Sequence, residues 1–119
     1  MTQAFEIIGM GYASQDNLVT VPRIPLDDKV EIISSLLQGG GPGATATVAA
    51  ARLGARTAFI GAVGDDERGK AILDEFRREG VNVDFVFIQQ GVVSPAAYCW
   101  IDSRSSGRSI AWTRGGISP

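Results

Sequence analysis

The alternation of apolar and polar residues predicts short buried strands separated by two helices. Residues 44–54 (ATATVAAARLG) have the pattern of a small-residue helix, and residues 67–80 (ERGKAILDEFRREG) carry an apolar stripe at helical spacing. Three apolar runs predict buried strands, at residues 4–11 (AFEIIGMG), 56–63 (RTAFIGAV) and 81–88 (VNVDFVFI). Because strands that alternate with helices form parallel sheets through right-handed crossovers, we expect an α/β fold with a mainly parallel sheet.

Other segments do not fit that parallel sheet. Residues 17–24 (NLVTVPRI) alternate like a strand, and Pro22 and Pro25 restrict it to a sheet edge or to an excursion from the main sheet. Residues 30–37 (VEIISSLL) suit a strand or a helix, and the glycines that follow favour the strand. Residues 96–114 predict a hairpin. We expect these segments to combine into a small antiparallel sheet.

The composition removes several kinds of chemistry. The chain has 119 residues, no histidine and one cysteine, Cys99, which excludes Ser-His-Asp catalysis, histidine-ligated zinc and an internal disulfide. A net charge of −2 and a pI of about 5.0 give no electrostatic footprint for nucleic acid. No apolar run reaches the roughly 20 residues that span a bilayer, and the first residues, MTQAFEIIGMG, lack a signal-peptide pattern. We expect a cytoplasmic protein without a nucleic-acid or membrane partner.

Two glycine motifs approach nucleotide-binding patterns without completing them. Residues 9–11 (GMG) follow a predicted strand, but the third glycine of a dinucleotide-binding turn would fall at Ser14, and no helix comes next. Residues 64–71 (GDDERGKA) nearly match a phosphate-binding loop, but the final alanine lacks the hydroxyl that binds magnesium. Asp65 and Asp66 instead indicate an acidic helix N-terminus, where carboxylates oppose the helix dipole. A Rossmann-like nucleotide binder stays an alternative.

Two features suit a ligand site at the carboxyl ends of the predicted strands. The glycine run at residues 39–43 (GGGPG) lets the backbone approach a ligand at the start of a helix, and its alternative is a strained loop into a tightly packed helix. Asp16 follows the first predicted strand, where a carboxylate can accept hydrogen bonds from two sugar hydroxyls. The alternative for Asp16 is a simple turn.

The predicted hairpin carries arginine and aromatic side chains. Arg104 and Arg108 suit solvated hairpin charges, whereas Arg114, at the end of the second strand, can point toward the same cleft as Asp16. The aromatic residues are Tyr98, Trp100 and Trp112. They predict an apolar hairpin face that covers a ligand, pairs with a second subunit, or packs in the core.

The segment GGGPGATATVAAARLGARTAFIGAVGDDERGKAILDEFRREGV resembles the amino-terminal signature of the ribokinase-like (PfkB-type) carbohydrate kinases. That signature joins a Gly-Gly turn, a small-residue helix, a Leu-Gly pair, a strand, a G-x-V-G-x-D turn and a helix containing Gly69. Asp16, the strand order and the hairpin also fit, so the resemblance covers essentially the whole chain. Within the family, the GGGP-x-A-T form is most similar to sulfofructose kinases, and the hairpin is similar to that of ketohexokinases.

The resemblance implies a ribokinase-like three-layer sandwich with a β-sheet lid, at about residues 17–38 and 94–114, that often builds a homodimer. Such enzymes transfer the γ-phosphoryl group of ATP to a sugar hydroxyl, so the implied partners are a sugar, ATP and Mg²⁺. The implied substrate-binding residues are Asp16, Gly40, Gly41, Thr45, Ala97 and Arg114. Pro42 and Thr45 replace the lysine and asparagine of the ribokinase form, which argues against ribose and for a ketose or an anionic ketose derivative.

The family's second signature, which contains an anion hole and a general-base aspartate, is expected beyond Pro119. We therefore expect residues 1–119 to be the amino-terminal, substrate-binding part of a sugar kinase, without the nucleotide-binding part and inactive alone. Physical reasoning agrees, because a parallel sheet needs both faces covered and the sequence predicts only two helices. The alternative is a non-catalytic sugar-binding or dimerisation module.

Overall fold

The computed structural model describes residues 4–118. Residues 1–3 and residue 119 lie outside this range. The prediction that the chain lacks a signal-peptide pattern concerns residues 1–11, so its first three residues are outside the described part. The elements are β1 (Ile7–Met10), β2 (Ser14–Val21), β3 (Ser34–Gly40), α1 (Pro42–Arg52), β4 (Thr57–Gly64), α2 (Glu67–Arg78), β5 (Val81–Asn82), β6 (Val86–Gln89), β7 (Ala96–Asp102) and β8 (Arg108–Thr113). Within residues 4–118 no helix has the length and apolar character needed to cross a membrane.

The main sheet is parallel, as predicted, and β4 is the strand with which β1, β5 and β6 all pair. The prediction of one continuous strand over residues 81–88 is wrong, because the backbone turns between β5 and β6. Asn82 Oδ1 accepts a hydrogen bond from the Asp84 N–H at 2.9 Å, and such a local side-chain bond competes with strand pairing.

Both helices pack on the same face of the main sheet. Phe59 of β4 stacks on Phe76 of α2 with ring centroids 4.9 Å apart, and a side chain at Gly43 of α1 would touch Phe59. The predicted apolar stripe of α2 is buried in this core. The opposite face of the sheet exposes Met10 and Phe87. In the part of the chain that the structure describes, the helices therefore cover one face of the main sheet.

A second sheet, with strand order β3-β2-β7-β8, contains the segments predicted to lie outside the parallel sheet. β2 pairs with β3, and β7 with β8, in the expected antiparallel sense, but β2 and β7 pair in parallel at the centre. The expectation of a wholly antiparallel sheet is therefore wrong. β2 and β7 run in the same direction because each follows the carboxyl end of a parallel strand of the main sheet, β1 and β6 respectively.

The boundaries of β2 and β3 differ from those expected. β2 is an interior strand, so the edge alternative is wrong and the excursion from the main sheet is confirmed. Pro22 does not interrupt its pairing because the strand ends at Val21. β3 is a strand, as favoured, but it begins at Ser34 and runs through Gly40, so the glycine run begins inside the strand.

Asp66 joins the start of α2 to the loop that leads into β7. Its side chain accepts hydrogen bonds from the Gly69 N–H at 2.8 Å and from the N–H and hydroxyl of Ser94 at 3.0 and 2.6 Å. Ser94 is buried, and its Oγ also accepts a bond from the Gly64 N–H at 2.8 Å. Partial burial raises the pKa of Asp66, but the hydrogen bonds from Ser94 and Gly69 outweigh burial and hold the pKa below its ordinary value. The acidic helix N-terminus is confirmed.

We expect Asp66→Asn to lower the free energy of unfolding by about 1–3 kcal/mol, because it removes a charged helix cap and weakens the bonds to Ser94. Urea denaturation followed by circular dichroism measures the loss. Because the folded-state pKa of Asp66 is lowered, its contribution is present above the unfolded value of about 3.9 and disappears as the pH falls through the folded-state pKa. The stability difference between the two proteins should therefore close on acidification.

Asp65→Asn is the matched control. Asp65 is exposed and accepts one hydrogen bond, from the Gly91 N–H at 3.1 Å, so the change should stay within about 0.5 kcal/mol. Equal losses in the two variants, or an Asp66 difference that widens at low pH, would contradict the role assigned to Asp66.

Candidate functional site

Asp16 and Gly40 are in contact at the base of the second sheet. The Ser14 hydroxyl donates a hydrogen bond to Asp16 Oδ1 at 2.7 Å, which orients the carboxylate. A side chain at Gly40 would collide with this same carboxylate. Because glycine has no side chain, the half-buried Asp16 carboxylate can occupy the space beside position 40.

Gly41 connects β3 to α1 and packs against the backbone of Tyr12. Its φ is +100°, and a Cβ there would collide with the Tyr12 carbonyl oxygen. Pro42 occupies the first turn of α1, as predicted for a helix entry, and the Thr45 N–H donates to the Gly41 carbonyl at 2.8 Å. The Arg114 guanidinium lies 6.0 Å from the centroid of the Tyr12 ring. Gly41 and Arg114 therefore border the same tyrosine.

A cavity of about 270 Å³ lies between α1, α2 and the end of β3. Thr45 lines this cavity beside Gly40 and Ser14, and Arg52 and Glu75 line it further along the helices. The other predicted site residues lie outside this lining. Thr45 is thus linked to the Asp16 region through Gly40 and Ser14, the two residues that also contact the carboxylate.

Ala97 of β7 is the in-register neighbour of Asp16 across the parallel β2–β7 pair. The Asn17 side-chain amide donates to the Ala97 carbonyl at 3.2 Å and reinforces this pairing. The predicted residues therefore gather where the second sheet meets the main sheet. They are Asp16, Gly40, Gly41, Thr45, Ala97 and Arg114.

The other motifs have simpler roles. Arg104 lies in the turn between β7 and β8, and Arg108 is exposed, as expected for solvated charges. Tyr98 and Trp112 are exposed too, so neither packs in a core. Residues 9–11 lead into β2 and not into a helix, which contradicts the Rossmann-like alternative, since its turn requires a helix there.

Comparison with known proteins decides the family. The family described as pfkB family carbohydrate kinase matches residues 10–119. This chain belongs to the pfkB family of carbohydrate kinases. The resemblance to ribokinase-like kinases is therefore confirmed.

Relatives of this pfkB-family chain include ribokinases of much greater length. It is 34% identical over 115 residues to the bifunctional ribokinase/ribose-5-phosphate isomerase A of Fructilactobacillus sanfranciscensis, an overlap that is 95% of this chain and 21% of that protein. It is 40% identical over 78 residues to the ribokinase of Bacillus subtilis, which is 65% of this chain and 27% of that protein. The chain thus spans about a fifth to a quarter of these two relatives.

Solved structures confirm the ribokinase-like fold. The Arabidopsis thaliana ribokinase complexed with ribose and ATP matches with a TM-score of 0.78 and 26% identity, over 95% of this chain and 37% of that one. The fructokinase from Xylella fastidiosa matches with a TM-score of 0.71 and 30% identity, over 91% of this chain and 33% of that one. The pfkB-family chain therefore has the fold of one part of these kinases.

Two residues near Asp16 were not predicted to belong to the site, Tyr12 and Ser14. The sequence pattern indicated Ser14 only as the position where the third glycine of a dinucleotide-binding turn is missing. A strand that begins at position 14, and not at 17, would have indicated its role, because residues two apart in a strand share a face. Tyr12 has no signal in the sequence, since its contact with Arg114 joins residues about a hundred positions apart.

We expect Gly40→Ala to lower the free energy of unfolding by about 1–3 kcal/mol, because the new methyl group collides with the Asp16 carboxylate. The loss should fall by at least half in an Asp16→Ala background, where the colliding group is gone. A double-mutant cycle from urea denaturation measures this coupling.

Gly39→Ala is the matched control in the same strand. A methyl group at Gly39 would meet the end of the flexible Glu75 side chain, which can move aside, so the loss should be smaller and additive with Asp16→Ala. If the losses in unfolding free energy from Gly40→Ala and Asp16→Ala were simply additive, the two residues would not be coupled, and the close packing of Gly40 on Asp16 would be contradicted.

Proposed function

We propose that this chain is the sugar-binding part of an ATP-dependent sugar kinase. The observation that carries the proposal is the placement of the Asp16 carboxylate, which is oriented by Ser14, fitted against Gly40 and left half exposed at the base of the second sheet. A carboxylate held in this way can accept hydrogen bonds from two neighbouring hydroxyls of one ligand. The relatives named ribokinase and fructokinase support a sugar as that ligand.

The proposed substrate is a ketose or an anionic ketose derivative. Arg114 supplies a guanidinium next to Tyr12, on the same boundary as Asp16, and guanidinium groups bind carboxylate, sulfonate or phosphate oxygens through paired N–H donors. Pro42 and Thr45 stand where the ribokinase form has a lysine and an asparagine, which supports a substrate other than ribose. The proposal also draws on two resemblances, that of the GGGP-x-A-T segment to sulfofructose kinases and that of the hairpin to ketohexokinases.

In the proposed reaction, Asp16 binds and orients two sugar hydroxyls, Gly40 and Gly41 bring the backbone close to the ring, and Ala97 covers it from the second sheet. A third hydroxyl then gives its proton to the general base and attacks the γ-phosphorus of ATP, and the bond from that phosphorus to the oxygen of the β-phosphate breaks to release ADP. The proposal assigns the general base and the nucleotide site to sequence outside residues 1–119, so these residues alone bind the sugar without phosphorylating it.

Mg²⁺ accompanies ATP in the proposed reaction, but the residues described here do not fit a site for it. Within residues 4–118 there is no group of three or more acidic, cysteine or histidine side chains suited to a metal ion. Asp66 uses its carboxylate oxygens to accept bonds from Gly69 and Ser94. No step of the chemistry is therefore assigned to Mg²⁺ on this part of the chain.

The compartment that we propose for the protein is the cytoplasm.

We expect Asp16→Ala to lower the affinity for the sugar by about 100-fold, because two charge-assisted hydrogen bonds are lost, and Asp16→Asn to lower it less. Isothermal titration calorimetry with D-fructose, D-ribose and D-fructose 6-phosphate measures this binding. Asp74→Ala, which removes an exposed carboxylate paired with Arg77 on α2, is the control and should bind like the unchanged protein.

A coupled assay of ADP release, on the full-length gene product with Mg-ATP and the same sugars, tests the reaction. Sugar-dependent ADP release supports a kinase. Sugar binding without any ADP release would replace it with a non-catalytic sugar-binding module, and absence of sugar binding would overturn the proposed function.

We also propose that two copies of the chain pair through the second sheet. The next row of in-register residues on the Asp16 face is wholly apolar, running Leu36, Leu18, Cys99 and Ile110 from β3 to β8. Rows on the opposite face are interrupted by Asn17 or by serine side chains. An apolar row that includes exposed Leu36 and Ile110 favours contact with a second apolar surface.

We expect Leu36→Asp to shift the chain toward monomer in sedimentation velocity, because a charge is placed in the proposed interface. Leu37→Asp is a closely matched control, since Leu36 and Leu37 are 57% and 58% exposed and point to opposite faces of the same strand. Equal effects of the two substitutions, or a monomeric starting protein, would contradict pairing through this face.

A further inference from the structure

The registers of the second sheet place Asp16, Ala97 and Trp112 side by side. Ala97 is the partner of Asp16 across the β2–β7 pair and the partner of Trp112 across the β7–β8 pair. Side chains of in-register partners point to the same face of a sheet. The carboxylate and the indole therefore stand on one face with a single methyl group between them.

This row has the shape of a shallow trough. Neighbouring strands lie about 4.8 Å apart, so the backbones of Asp16 and Trp112 are about 10 Å apart. The Ala97 methyl group forms a low floor between two larger side chains. Trp112 is 67% exposed, which leaves much of its ring without a protein partner within the described residues.

A positively charged side chain follows β8 directly. Arg114 lies two positions after Trp112 and one residue beyond the last residue of β8. Its guanidinium lies over the Tyr12 ring, at the boundary with the main sheet. The trough thus presents, in order, an acceptor for hydroxyls, a methyl floor and an aromatic face, and a cation follows just beyond the end of β8.

We propose that Trp112 is a specificity-determining residue of this site, a platform on which the ring of a cyclic sugar stacks while Asp16 binds its hydroxyls. This inference rests on the proposed function. A furanose or pyranose ring has a face rich in C–H bonds, which packs on an aromatic surface, and hydroxyls at its edge, which reach a carboxylate. An acyclic polyol has no such flat face, so the platform favours cyclic sugars, and Arg114 favours those with an anionic group.

The protein offers a built-in reporter for this contact. It contains two tryptophans, Trp100 and Trp112. Trp100 pairs in register with Val19 and Ser109, so it lies on the opposite face from Asp16. Trp100→Phe therefore leaves Trp112 as the sole tryptophan, and Trp112→Phe leaves only the tryptophan on the face away from the trough.

The experiment titrates both single-tryptophan proteins with D-fructose, D-fructose 6-phosphate and the acyclic polyol D-glucitol 6-phosphate. We expect a saturable change in tryptophan emission on adding D-fructose 6-phosphate to Trp100→Phe, and none for Trp112→Phe. Calorimetry should give Trp112→Ala an affinity about tenfold below that of the unchanged protein, and Trp112→Phe one within about threefold, because an aromatic face is retained. D-Glucitol 6-phosphate should bind more weakly than D-fructose 6-phosphate and lose this preference in Trp112→Ala.

Each outcome decides between the two proposals. If Asp16→Ala abolishes sugar binding while Trp112→Ala leaves affinity and the ring preference unchanged, the platform is overturned and the sugar-binding function stands. If calorimetry detects no sugar binding to the unchanged protein, both are overturned. Circular dichroism of Trp112→Ala must match that of the unchanged protein, and rescue by Trp112→Phe separates stacking from a loss of folding.

Discussion

The two sheets are joined at places where the backbones of the chain approach too closely for any side chain. At Gly41 a Cβ would strike the Tyr12 carbonyl oxygen, and at Gly115 it would strike the Val93 carbonyl oxygen. Both glycines also have positive φ, +100° and +66°, which side chains disfavour. These two contacts bring the ends of β3 and β8 against the segments that lead into β2 and β7. The position of every residue of the candidate site depends on this close junction.

Hydrogen bonds to Ser94 also hold the segment that leads into β7. Ser94 donates to Asp66 and accepts from Gly64, so the end of β4, the start of α2 and the approach to β7 share one buried hydroxyl. A buried network in which each group has a partner fixes one geometry, because any shift leaves a polar group unpaired. The second sheet is thus anchored to the helical layer through the segment that leads into β7. Ala97 lies three residues beyond Ser94, so this anchor also sets the floor of the proposed trough.

Local signals in the sequence predicted most of the elements, and pairing between distant segments accounts for the rest. Helix α1 begins at Pro42 and the chain leaves it at Gly54, whose φ is +99°, because these residue types favour such positions whatever surrounds them. The break within residues 81–88 depends on one Asx bond, and a run of apolar residues does not reveal it. The parallel β2–β7 pair joins segments about eighty residues apart, so no local pattern specifies it.

The candidate site divides in the same way. Residue type and position made Asp16 and the glycine run candidates, and the resemblance to a family gave them a role. Their physical relation, a carboxylate that occupies the space of a side chain at Gly40, appears only in three dimensions. Trp112 was predicted only to lie on an apolar hairpin face. Its position beside Asp16 follows from two registers, neither of which the sequence determines. Sequence patterns thus identified the residue types of the site, and sheet pairing determined which of them are neighbours.

One face of the second sheet carries two proposed functions in adjacent rows. The row of Asp16 and Trp112 lies at the base, and the apolar row from Leu36 to Ile110 lies two residues further along each strand, about 7 Å away. A second copy packed on the outer row would stand at the rim of the trough and limit the length of a sugar lying in it. Because β2 and β7 contribute to both rows, a shift that tightens one row moves the other. Sugar binding and pairing of the two copies are therefore expected to be coupled. Each strengthens the other if both require the same arrangement of β2 and β7.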